Sequence, residues 1–251
     1  MKNFYRALTL VLAVIITLSI GTIPAMAAAP DAINGFGELD IPDYIIPEED
    51  ELTIDKVPLY NQKHYPDIPY GKYGSISTHG CGLVSVWMVA TYLNDEIYDI
   101  ADLAEQFGSY NTKGGSEWIL IADSAEALGL KLVDMPAPGE ACYNWKKVKE
   151  ALHNGQVVIA LYGPDSYFTS GGHFVVLTGV NENGLYTVND PYGGNYQGGP
   201  VLQNGFANGF TESQIKAGSV TFWIYESKET HIAMRNSDNE DAAVATDDLI
   251  G

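Results

Sequence analysis

The 251-residue sequence holds 13 Lys and Arg against 32 Asp and Glu, a formal charge of −19, with 46% hydrophobic residues. That composition excludes a chain disordered throughout, and the acidic excess repels polyanions, so no nucleic acid partner is expected. The length suits one domain with flanking segments, since domains commonly run to about 100 to 200 residues.

In chain order, Lys2 and Arg6 precede an apolar run from Leu8 to Ile20 and then Pro24-Ala25-Met26-Ala27. A charged start, an apolar stretch and an Ala-x-Ala site describe a secretory signal peptide over 1–27, and the run falls short of the roughly 20 residues a membrane-spanning helix needs. No later stretch is apolar enough to span, so the mature chain is expected to be exported without a membrane span. Residues 28–55 are rich in Asp, Glu, Pro and Ala, a composition that builds no core and reads as an acidic linker or pro-segment. Residues 227–251 read as an acidic flexible tail, which leaves a domain over 56–226.

Inside that domain Cys81 to Leu93 (CGLVSVWMVATYL) is apolar nearly all the way round and predicts a buried central helix. Amphipathic helices are expected over 99–107, over 116–128 with Gly129 as stop, and over 145–154 ended by Gly155. Short β-branched and aromatic runs follow at 157–162, 174–180, 185–189 and 220–225, each bounded by Gly, Asn or Pro. Helices first and strands later predict an α+β fold, a helical half packed on a C-terminal antiparallel sheet.

Cys81 stands in His79-Gly80-Cys81-Gly82, where the buried helix begins. A thiol at a helix N-terminus meets unpaired amides and the positive end of the dipole, and both favour thiolate. The flanking glycines are expected to leave room for a substrate backbone. A buried structural cysteine, or a disulfide to Cys142, stays open as the alternative. His173 opens the strand FVVLTGV after Gly171-Gly172, and a hairpin turn over 181–184 without a bulge would set Asp190 opposite Val175. His173 and Asp190 then become diagonal neighbours on one sheet face, with Cβ atoms about 7 to 8 Å apart. A one-residue slip would separate them, and Asp190 before Pro191 also fits a simple turn former. Gln62, in VPLYNQ, is a candidate amide donor to an oxyanion. No Cys or His pair has zinc-finger or HExxH spacing, so neither a metal nor another cofactor is expected.

The order Gln62, Cys81, His173, Asp190, carried by VPLYNQ, HGCGLVSVWMV, GGHFVVLTGV and VNDPYGG, resembles the papain-like clan and more closely the peptidase C39-like family. The resemblance covers residues 57–192. It implies a papain-like fold and a cysteine peptidase with Cys81 as nucleophile, His173 as base, Asp190 as orienter and Gln62 as oxyanion donor. Its substrate would be a peptide or protein. A hydrolase of peptidoglycan stem peptides shares that chemistry, and an inactive secreted binding module shares the fold. The oligomeric state is not legible in the sequence.

Overall fold

The computed structural model describes residues 54–135, 144–195 and 208–247. The signal-peptide reading of 1–27, nearly all of the 28–55 linker, Cys142 and the last four residues lie outside the described residues.

The chain enters through a 3-10 turn, Gln62–His64, and a two-residue hairpin of β1 (Pro69–Tyr70) and β2 (Gly74–Ser75). Helix α1 (Ile76–His79) leads across a single break at Gly80 into α2 (Cys81–Asn94). Then come α3 (Ile100–Gln106), the small hairpin of β3 (Asn111–Thr112) and β4 (Gly115–Ser116), and α4 (Ile119–Ala127). The remaining elements are β5 (Leu132–Asp134), α5 (Trp145–His153), β6 (Gln156–Tyr162), β7 (His173–Val180), β8 (Tyr186–Asp190), β9 (Gly194–Asn195), α6 (Glu212–Lys216), β10 (Ser219–Ser227) and α7 (Lys228–Asp247).

Helix α2 buries every residue from Gly82 to Thr91, as a helix without a polar face must. It packs with α3 and α4 on one face of a six-stranded antiparallel sheet of order β5-β10-β6-β7-β8-β9. Strand β6 shows why its run is apolar throughout. Val157, Ile159 and Leu161 join the α2 core, while Val158, Ala160 and Tyr162 join a second core under α5 and α6. Both faces of the sheet are covered, so alternation between polar and apolar is lost in the central strands. The α+β, papain-like expectation holds, with α5 and α6 added as a layer on the far face.

Two local expectations are corrected. Ser116 belongs to β4, and the helix assigned from 116 starts at Ile119. Residues 228–247, expected to be part of an acidic flexible tail over 227–251, form helix α7. Its first turns are docked: His231, only 2% exposed, is hydrogen-bonded through Nδ1 to Glu226 Oε1 and through Nε2 to Asn94 Oδ1. Arg235 donates to Asn94 O as well. A few such contacts hold a helix whose composition alone would leave it in water.

The β7–β8 hairpin positions the site. Its turn is not bulge-free: Gly184 N–H donates to Asn181 O, Asn181 N–H to Leu185 O, and Gly184 sits at φ +73°. One extra residue therefore enters on the β8 side, and Val180 pairs with Tyr186, Gly179 with Thr187. A second irregularity at Thr178, beside Gly179 at φ +147°, places an extra residue on β7. The two shifts cancel. Beyond them Leu177 faces Val188 and Val176 faces Asn189, the expected register, and Asp190 is the next residue of β8.

Candidate active site

Cys81 begins α2 as a free, partly exposed thiol. The glycines beside it have a different task from the one expected. A Cβ on Gly80 would lie 2.5 Å from Ile76 O, and one on Gly82 would lie 2.6 Å from Ser116 Cβ. They are there because the chain packs against itself, not to open space for substrate.

The break at Gly80 has a chemical consequence. In an unbroken helix Cys81 N–H would donate to Ser77 O, four residues back. That carbonyl instead accepts Gln62 Nε2 at 3.0 Å and Lys63 Nζ at 3.1 Å, and the helical ladder restarts with Val84 N–H to Gly80 O. The amide of Cys81 is thereby released from the ladder at the first turn of α2, where free N–H groups attract negative charge.

His173, 6% exposed, and Asp190, 4% exposed, come together from neighbouring strands. His173 Nε2–H donates to Asp190 Oδ1 at 2.7 Å. The same oxygen accepts Tyr192 N–H at 2.7 Å, and Gly193 N–H donates to Asp190 O, so Asp190 forms a turn and holds the histidine at once. The Cys81 thiol and the His173 imidazole act on one another, and with Nε2 committed to Asp190 only Nδ1 is left for the sulfur. The Tyr192 ring stands edge-on to His173 with centroids 5.9 Å apart.

The electrostatics follow from this geometry. Burial raises the Cys81 thiol, but the hydrogen bond and charge of His173, with the backbone N–H groups of Phe174 and Gly82, outweigh it, so the thiol lies below its ordinary 9.0. Burial disfavours the His173 imidazolium, yet the hydrogen bonds to Asp190 and Cys81 and their charges prevail and raise it well above 6.5. Opposite shifts on neighbouring groups are the signature of a thiolate–imidazolium pair.

Gln62, 1% exposed, lies beside the nucleophile helix, its Nε2 on Ser77 O and, at 3.4 Å, on Ile76 O, with Oε1 buried and unpartnered. Its N–H donates to Pro191 O, immediately after Asp190. All four candidate residues thus gather at one place. Tyr70, Ser116, Lys63 and Tyr192 carried no sequence signal. Tyr70 OH meets Ser116 Oγ at 3.1 Å, and Ser116 Oγ donates to His79 O, tying β1 and β4 to the residues before Cys81. Burial pushes the Tyr70 phenol up to about 12, despite the Ser116 hydrogen bond, so it stays protonated. Among the described residues no group of His, Cys, Asp and Glu could hold a metal ion, and no helix is long and apolar enough to cross a membrane.

No curated protein matches the chain. A family model does, over residues 54–217, which takes in the turn at Gln62, most of both core layers, and Cys81, His173 and Asp190. The chain belongs to the Peptidase_C39 like family.

Proposed function

We propose that this chain is an exported cysteine peptidase that cleaves peptide or amide bonds by thiol acyl transfer. The observation that carries the reading is the buried pair in which Asp190 holds His173 at 2.7 Å, beside a Cys81 thiol that the imidazole makes more acidic.

The proton of Cys81 rests on His173 Nδ1, and the thiolate attacks the carbonyl carbon of the substrate. The oxygen, now negative, is met by Cys81 N–H and by the Gln62 Nε2–H that otherwise makes only the long 3.4 Å contact to Ile76 O and turns to the stronger acceptor. As the C–N bond breaks, His173 returns its proton to the leaving amine, and an acyl thioester remains on Cys81. Water, giving a proton to His173, attacks that thioester, and the acid departs as the thiolate is restored. Asp190 keeps Nε2–H directed away from the sulfur throughout, so that Nδ1 is always the nitrogen that exchanges the proton.

The test is turnover of the chain without residues 1–27, and of Cys81→Ser, on a peptide library and on peptidoglycan, with products identified by mass spectrometry. Cleavage of either substrate that is lost in the mutant is the expected result, and the substrate cut separates a protein peptidase from a cell-wall hydrolase. Failure to cut both, together with a Cys81 that iodoacetamide alkylates no faster than an ordinary thiol with a pKa near 8.5, points to a binding module instead.

A further inference from the structure

The turn Gln62–His64 lies between the two parts of the site and is fastened to both. On the strand side, Gln62 N–H donates to Pro191 O at 2.8 Å, and Asn61 packs so closely on Gly193 that a Cβ there would lie 2.6 Å from Asn61 Nδ2. On the helix side, Gln62 Nε2 and Lys63 Nζ converge on Ser77 O.

Lys63 does both jobs with one atom. Its ammonium donates to Ser77 O at 3.1 Å and also stands 3.9 Å from the centroid of the Tyr192 ring. Ser77 O is the acceptor that a continuous helix would give to Cys81 N–H. Tyr192 donates its N–H to Asp190 Oδ1 and sets its ring against His173. Lys63 is exposed and forms no ion pair with any described carboxylate, so neither solvent exclusion nor charge pairing accounts for its position. A long flexible side chain held by a carbonyl and an aromatic face is ordered by those two contacts.

We propose that Lys63 is a positioning residue, a clamp that holds the start of the nucleophile helix and the His173–Asp190 strand in the register where thiol meets imidazole. The proposal rests on the peptidase reading above. Lys63 touches neither the sulfur nor the imidazole; it acts through Ser77 and Tyr192.

The experiment measures peptide turnover and the second-order rate of Cys81 alkylation by iodoacetamide in the wild type, Lys63→Met, Lys63→Arg and Tyr192→Leu. Lys63→Met keeps the apolar stem and removes the cation. It is expected to lower kcat and the alkylation rate by about three- to tenfold with KM nearly unchanged, the scale of losing an exposed cation–aromatic contact and one charged hydrogen bond. Lys63→Arg restores most of both rates, because a guanidinium donates and stacks as well. Tyr192→Leu keeps the charge yet reproduces the loss, and adding Lys63→Met to it costs little more. Thermal unfolding of Lys63→Met within about 2 °C of wild type separates positioning from general destabilisation. An active wild type whose rates survive Lys63→Met or Tyr192→Leu unchanged overturns the clamp alone. A wild-type Cys81 that alkylates like a free thiol overturns the peptidase reading and the clamp with it.

Discussion

His173 Nε2 lies 2.7 Å from Asp190 Oδ1, and that one oxygen also receives Tyr192 N–H. The carboxylate therefore sets both the histidine and the turn after β8. Asp190→Ala removes the acceptor that both share and is expected to lower kcat by about 10²-fold or more, the ordinary worth of a positioned acid–base group. Asp190→Asn, which still offers an oxygen to Tyr192, should keep the fold as measured by thermal unfolding and lose most of the activity. Equal loss of fold in both variants would reduce Asp190 to a turn former.

The opposite shifts of Cys81 and His173 predict a bell-shaped pH dependence of kcat/KM. Cys81 lies below its ordinary 9.0, so activity rises with pH through a limb below 9.0, where the thiolate forms. His173 lies above its ordinary 6.5, so the imidazolium that protonates the leaving amine persists past neutrality, and activity falls on a limb well above 6.5. Asp190→Asn removes the charge and weakens the leading hydrogen bond that hold His173 up, so the alkaline limb moves towards lower pH. An alkaline limb that stays in place in that variant contradicts the assigned cause.

The parts of this site that the sequence made legible were those with a strong periodic or local signal. Helix α2 is apolar on every side, and the His173 and Asp190 strands are bounded by Gly and Asn, so both could be placed without a structure. The register between them came out as expected for a reason invisible to pattern reading: a bulge at Gly184 and another at Thr178 cancel. Two-residue strands such as β1 and β4 are too short for periodicity, so Tyr70 and Ser116 gave no signal. Gly82 misled because a glycine beside a nucleophile reads the same whether it makes room for substrate or for Ser116. Helix α7 was missed because side chains separated by long stretches of chain, His231 and Asn94, dock it.

Gln62 is buried, and its amide satisfies the Ser77 carbonyl that the helix break at Gly80 leaves without its ordinary partner. Gln62→Ala leaves Ser77 O to Lys63 Nζ alone and removes a buried amide hydrogen bond and an oxyanion donor. Denaturant unfolding should show a loss of about 1 kcal/mol, and kcat should fall by about 10². Gln62→Glu keeps the volume and loses the donor, so it should lose activity as severely. Full activity in Gln62→Glu would confine the residue to a structural part.

Gly82→Ala tests the close approach of α2 to β4. The added Cβ meets Ser116 Cβ at 2.6 Å, backbone-proximal atoms that cannot swing aside. A loss of about 1–3 kcal/mol is expected by thermal or denaturant unfolding, typical of overpacking. Ser116→Gly in the same chain removes the atom struck and should recover part of that loss, less the contribution of its bond to Tyr70. Additive effects of the two changes would show that the clash is not the cause.

His231 joins α7 to the domain through Glu226 on β10 and Asn94 at the end of α2, while Asn94 Nδ2 donates to Leu128 O. The pair is shut off from bulk solvent, with Glu226 and His231 4% and 2% exposed. His231→Ala thus leaves a buried carboxylate and a buried amide oxygen without their shared partner, at a cost of about 3 kcal/mol or more. His231→Gln, able to donate to one of them, should cost less. A chain ending at Ser227 removes Lys228, His231 and Arg235 together and should unfold at a denaturant concentration no higher than that of His231→Ala. If that truncation instead unfolds like the full chain, α7 is an appendage and the Glu226–His231–Asn94 contacts contribute nothing to the stability of the sheet.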